Sequence, residues 1–248
     1  MQSCPDSQDP STVRQMFAGV APRYDLLNRT LSGGVDVLWR RQTVRSALEG
    51  GRACDLRVLD LCTGTADLAL AFAARGCDVV GADFCPEMLL VGERKRRRVS
   101  AGPRVRLVGA DALRLPFVDD SFDVATVAFG IRNVADPVRG LAEMVRVVRR
   151  GGRVLVLEFS RPRAPVLGSL YLWYFRRVLP RLGAMLSPKS RKSRAYEYLP
   201  ESVMKFPERE GFLDLMRDAG LVDVSFRSLS LGIAALYVGV VSQGDRHG

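Results

Sequence analysis

Short apolar runs, several ending on a polar residue, alternate along the chain with stretches whose apolar positions recur every three or four residues. The runs near 56–62, 78–83, 104–109, 122–129 and 152–159 predict strands, and the helical stretches between them predict a parallel sheet. The best-marked helix starts at Asp136-Pro137. Aspartate suits the N-cap and proline the first turn, while Val138, Leu141, Val145 and Val148 form one stripe and Gly151-Gly152 supplies the expected stop. A second helix is expected from about Glu208, with Phe212, Leu215, Met216 and Ala219 on one face and Gly220 as its cap. Runs at about 222–229 and 234–241 are joined only by Ser230-Leu-Gly-Ile, too short for a crossover, so they predict an antiparallel hairpin.

The expected fold class is therefore α/β, a mostly parallel seven-stranded sheet closed by a C-terminal antiparallel hairpin. That layout is the Rossmann-like sheet of class I methyltransferases rather than a dinucleotide fold. One domain, 1–248, is expected to comprise a helical lid (11–52), a core (53–159), a basic and aromatic insertion (160–207), and a C-terminal helix and hairpin (208–242).

Composition narrows the chemistry. With 248 residues, 47% of them hydrophobic, the chain is long enough for a full core. The formal charge is +10, and the window from Arg161 to Pro200 carries nine Lys/Arg against Glu197 alone, net +8. Arg94-Lys-Arg-Arg-Arg98 sits at a predicted helix end, where cations complement the dipole. Five cysteines without C-x-x-C spacing read as reduced thiols in a cytoplasmic protein. No signal peptide and no spanning apolar run is expected. The single histidine, His247, lies in a polar tail, which excludes His-based general-base chemistry and most zinc sites; no metal is expected.

The candidate ligand site lies in Arg57-Val-Leu-Asp-Leu-Cys-Thr-Gly-Thr-Ala-Asp67. An apolar strand feeds a tight turn, Thr63-Gly64-Thr65, and then a helix. Asp83 stands 19 residues past Gly64, a spacing that puts a carboxylate at the neighbouring strand's tip, beside a ribose diol. Only the middle glycine of a dinucleotide fingerprint is present, and Asp67 opens the helix where a phosphate would meet like charge. A nucleoside ligand without phosphate fits better, and S-adenosylmethionine (SAM) is the expected cofactor. Gly64 and Thr65 would face its methionyl end. Asp111 and the Ala112 amide, ending the third strand, would address adenine.

At Tyr24-Asp-Leu-Leu-Asn28, Leu31-Ser-Gly-Gly34 and Trp39 the chain resembles the menaquinone/ubiquinone-biosynthesis C-methyltransferases, the UbiE/MenG family. The loop Cys62–Asp67 is similar to the menaquinone-branch variant. Ala128-Phe-Gly-Ile-Arg-Asn-Val134, Arg146–Val154, Leu-Glu-Phe-Ser160 and Ser202–Pro207 match later blocks, so the similarity runs from about 14 to 241. It implies cofactor contacts at Thr65, Asp83, Asp111 and Ala112. Three positions depart from the family pattern. Asp36 stands where His is frequent, Ala128 where ubiquinone-type members have Ser, and Arg149-Arg-Gly-Gly152 where Lys-Pro-Gly-Gly is usual.

The resemblance implies C-methylation of a demethylated polyprenyl quinol, demethylmenaquinol first and a ubiquinone-branch benzoquinol second. Arg132 and Asn133, after strand four, fall on the acceptor rim. A guanidinium stays charged and is a poor base, but it can stabilise a developing oxyanion, with Asn133 as a second donor. Tyr24, or a water held by Asp25, is a candidate proton acceptor. The alternative reading of Arg132 is a structural ion pair. Aromatics beside arginines in Tyr171–Leu179 suit a helix lying on the inner face of the membrane, where a polyprenyl acceptor resides; the alternative is packing on the core. A basic RNA or DNA methyltransferase is a rival reading, but no base-methylation motif follows strand four, so no nucleic-acid partner is expected. A non-catalytic SAM-binding scaffold is the third reading. The resemblance also admits a homo-oligomer or a quinone-biosynthesis complex.

Overall fold

The computed structural model describes residues 10–49, 56–162 and 202–244. Three helices come first, α1 (Pro10–Val20), α2 (Tyr24–Ser32) and α3 (Val35–Leu48). The alternating core follows as β1 (Arg57–Leu61), α4 (Asp67–Ala73), β2 (Asp78–Asp83), α5 (Pro86–Arg96), β3 (Val105–Gly109), β4 (Phe122–Ala128), α6 (Pro137–Val147) and β5 (Val148–Phe159). The chain closes with α7 (Glu210–Asp218), β6 (Leu221–Leu229) and β7 (Ala234–Val241).

The seven strands form one sheet in the order β3-β2-β1-β4-β5-β7-β6. The first five are parallel, and β7 runs antiparallel to both β5 and β6. Alternation along β5 shows how the sheet is covered on both faces. Val154 and Val156 enter a cluster with Leu141 and Met144 of α6 and Phe212 and Met216 of α7. Leu155 and Leu157 enter the opposite cluster with Trp39 and Val44 of α3 and Phe72 of α4. Each such fully buried large side chain contributes about 1.5–3 kcal/mol.

The expected elements form, with one correction. Asp136 caps α6, its carboxylate accepting from the Arg139 amide at 3.0 Å. The helix ends at Val147, before the glycine pair, and Val148 already pairs with Phe122 of β4. The pair instead builds a bulge in β5, where the register jumps from Phe122–Val148 to Val124–Arg153. Gly151 takes φ +70°, and a Cβ on Gly152 would sit 2.6 Å from the Asp123 carbonyl oxygen. Close strand approach, not helix termination, requires glycine there.

The expected lid region is helical, and α1 and α2 reach over the carboxyl ends of β1 and β2. Gly33 and Gly34, both left-handed, separate α2 from α3. Most of the 160–207 segment, including Tyr171–Leu179, lies outside the described residues. Among the described residues no helix is long and apolar enough to cross a membrane, and no cluster of His, Cys, Asp or Glu is placed to hold a metal ion.

Candidate active site

A crevice opens at the carboxyl ends of β1 to β4, where open α/β sheets place their small-molecule sites. Its floor is supplied by the strand exits, Leu61, Cys62 and Gly64, Asp83 to Cys85, Ala110 to Leu113 and Ala128 to Gly130. Val13, Arg14 and Phe17 of α1 and Tyr24 of α2 form its roof.

The first exit turns sharply because Cys62, Gly64 and Ala66 all adopt left-handed backbone. Asp60 lies beneath it, almost wholly buried, accepting from the Thr63 hydroxyl at 2.6 Å. Burial pushes its carboxyl up to about 7, against the opposing pull of that hydroxyl and the Ala69 amide. Asp83 anchors the next exit: Oδ2 accepts from the Gly64 amide at 2.7 Å and Oδ1 from the Cys85 amide at 2.8 Å. Burial raises the Asp83 carboxyl above its ordinary value, and these amides pull it back. Gly64 and Asp83 are thus bonded to each other across the 19-residue gap, and both line the crevice. Asp111 is exposed, its Oδ1 taken by the Leu113 amide at 2.9 Å, while Ala112 is buried; both line the crevice.

Thr65 is placed elsewhere. Its side chain is buried behind the turn, its hydroxyl donating to Asp25 Oδ1 at 2.5 Å, and it is not part of the lining. Lys95 of α5 joins the same group, donating to Asp25 Oδ2 at 2.8 Å and pairing with Asp67. Asp25 is therefore occupied as a clasp between α2 and the core.

Arg132 and Asn133 also separate. Asn133 lines the crevice. Arg132 does not: its side chain is 6% exposed and paired with Glu158, itself 2% exposed, Nη1 reaching the two carboxylate oxygens at 3.0 and 2.8 Å. The same nitrogen donates to the Phe129 carbonyl at 2.7 Å, and the guanidinium lies 5.5 Å from the Phe159 ring centroid. The ion-pair alternative is what the geometry shows, in place of the direct oxyanion contact. Tyr24 lines the roof, its ring edge-on to Phe17. Burial raises its phenol above the ordinary value of 10, so at neutral pH it is a hydrogen-bond donor rather than a resting base.

Asp36 is buried with Arg40 as its partner and accepts from the Ser32 hydroxyl at 2.7 Å. Arg40 in turn lies 5.9 Å from the Phe129 ring centroid. Among the described residues the lining carries two acids, Asp83 and Asp111, and one cation, the half-exposed Arg14. That balance repels phosphate and suits a ligand bearing a sulfonium and an amino group. Among the described residues, a Cβ built on Gly64 would find only the Met88 methyl, at 3.8 Å, leaving room for a ligand against the backbone. The donor set therefore fits SAM.

Sequence reasoning missed Glu158, Lys95 as a clasp, and the roof residues Val13, Arg14 and Phe17. Glu158 left one signal, an acid closing the apolar run Val154-Leu-Val-Leu, which needs a buried cation as partner.

The family model for ubiE/COQ5 methyltransferases matches residues 4–241. A demethylmenaquinone methyltransferase of Thermus thermophilus is 49% identical over 226 residues, 90% of this chain and 99% of its own. A ubiquinone/menaquinone biosynthesis C-methyltransferase UbiE of Geobacter sp. is 45% identical over 236 residues, 94% and 97% of the two chains. Among solved structures, a SAM-dependent methyltransferase of Thermotoga maritima superposes with a TM-score of 0.63 at 21% identity, covering 91% of this chain and 98% of its own, a likeness of fold. With the Gly64–Asp83 crevice at the sheet's carboxyl edge and matches spanning nearly its whole length, this chain belongs to the ubiE/COQ5 methyltransferase family.

Proposed function

We propose that this enzyme methylates a ring carbon of a demethylated polyprenyl quinol, with demethylmenaquinol as the first acceptor. The observation that carries the reading is the division of one crevice into two chemistries. Asp83, Asp111 and the Gly64 backbone offer polar contacts to a nucleoside, while Val13, Phe17, Tyr24 and Phe129 enclose space suited to a flat apolar ring. The Thermus relative's name and Ala128 in the lining, where a hydroxyl is absent, support the naphthoquinol ring.

SAM, when bound, supplies an electrophilic methyl group on a sulfonium. The chain's own part is positioning and water exclusion. Asp83 accepts from the ribose hydroxyls, and Asp111 with the Ala112 amide addresses adenine. The roof helices shield the reacting carbon. Asn133 donates to the acceptor oxygen as it gains negative charge, and the Tyr24 phenol is a second donor. Contact of Tyr171–Leu179 with anionic lipid belongs to the same proposal and rests on its sequence.

The test is methyl transfer from labelled SAM to short-chain demethylnaphthoquinol, demethylbenzoquinol and tRNA, with and without reductant. Product from the reduced naphthoquinone alone is the expected result. Transfer to tRNA, or equal transfer to the oxidised ring, overturns the reading, and preference for the benzoquinol moves it to the ubiquinone branch.

A further inference from the structure

We propose that Glu158 is a positioning residue for methyl transfer, holding Arg132 so that the buried pair sets the turn which presents Asn133 to the acceptor. The proposal rests on the methyltransferase reading and adds a residue to it.

The turn is held under strain. Phe129 leaves β4 with φ +58°, a left-handed conformation that is unfavourable for a residue bearing a Cβ. Gly130 follows so closely on β1 that a Cβ there would stand 2.4 Å from the Cys62 Cβ. Such a backbone persists only where its surroundings over-determine it, and here they do. The Phe129 amide donates to the Leu157 carbonyl at 2.8 Å. Its carbonyl accepts from Arg132 Nη1 at 2.7 Å, and the side-chain Nδ2 of Asn133 lies 3.5 Å from the same oxygen. Its ring stacks on Phe159, with centroids 4.5 Å apart.

Glu158 is the origin of this network. Its carboxylate binds Arg132 through both oxygens and takes the Phe159 amide at 3.0 Å, so one buried acid fixes the guanidinium and the end of β5 together. The pair is not a closed structural unit, because among the described residues Arg132 Nε is buried without a hydrogen-bond partner. A pair selected only for stability would satisfy that donor or be replaced by apolar side chains. What the guanidinium does complete is the Phe129 carbonyl, four residues before the one side chain of Arg132-Asn133 that reaches the crevice.

The experiment is a cycle in the full-length enzyme, combining Glu158→Leu/Arg132→Met, which replaces the pair with apolar bulk, and Asn133→Ala. Both parents are expected to melt cooperatively, to bind SAM within about threefold of wild type, and to lose about a hundredfold in kcat. The triple variant is expected to fall no further than either parent. Losses that multiply in the triple variant overturn the proposal, since Arg132 would then act independently of Asn133. So does full kcat in the pair variant, or a parallel collapse of melting temperature and SAM affinity. If the pair variant does not fold, Glu158→Gln keeps an acceptor for Arg132 and is expected to lower kcat at unchanged SAM affinity. A crystal structure of whichever variant folds reads the same point without any acceptor. A shifted Phe129–Asn133 turn supports the proposal and a superimposable one refutes it, whereas a wrong acceptor would show as a wild type inactive on every quinol.

Discussion

Replacing Asp83 removes the carboxylate that joins the first two strand exits. A ribose diol offers it two hydroxyls, and each hydrogen bond to a charged group contributes about 1.5–3 kcal/mol. The lower figure for both gives about 3 kcal/mol, or roughly a hundredfold in SAM affinity for Asp83→Ala. Asp83→Asn is the sharper test. Oδ1 and Oδ2 each already accept a backbone amide, from Cys85 and Gly64. Asparagine has one acceptor oxygen, so in either orientation its NH2 faces one of those N–H groups. The unpaired donor costs about 1–3 kcal/mol before any ligand binds, which is several degrees of melting temperature in a chain of this size. Calorimetric titration with SAM and thermal melts of the ligand-free protein measure the two effects separately. An asparagine variant that melts with wild type and binds SAM within twofold would refute the reasoning.

Three further predictions concern the frame around the crevice. The Asp60 carboxyl, raised from 3.8 to about 7 by burial, binds its proton more tightly in the folded state. Its stabilisation is therefore complete below about pH 4 and lost as pH rises through about 7. Asp60→Asn should accordingly gain on wild type across that window, by up to about 4 kcal/mol, in denaturation series at fixed pH; a difference flat from pH 4.5 to 8 would exclude it. Asp36→Ala strands the largely buried Arg40 and should cost up to about 3–5 kcal/mol, most of it recovered by adding Arg40→Met; a single-variant cost below about 1 kcal/mol counts against the pair. Gly130→Ala forces a Cβ to 2.4 Å from Cys62 and should destabilise by about 1–3 kcal/mol. Cys62→Gly, which also relieves φ +52°, should restore much of that, and no rescue would mean the clash lies elsewhere.

What could be read from the chain beforehand was local. Apolar runs located every strand within a few residues because alternation and length depend on near neighbours. The Asp136 cap and the Gly64–Asp83 spacing are likewise properties of one supersecondary unit. The glycine pair at 151–152 misled because a helix stop and a strand bulge both use glycine, and only the register against β4 tells them apart. Arg132 is expected on the acceptor rim from its place after β4, yet its side chain goes to Glu158, 26 residues away on a neighbouring strand, and that choice is tertiary. Lys95 was hidden for the same reason. Within five consecutive cations it reads as a helix-end charge, and its partners, Asp25 and Asp67, arrive from two other elements.

The roof of the crevice has a foundation of its own. Ala21, Cys85 and Met88, with Phe17 and Tyr24 against them, form a small apolar island apart from the two large clusters, and the Gly33-Gly34 joint sets α1 and α2 off from the firmly seated α3. Alterations at Phe17 would thus draw on the stability of that island, apart from the clusters that hold the seven strands. In an enzyme built this way, divergence toward a bulkier or slimmer ring can proceed in the overhead helices while the nucleoside half stays constant.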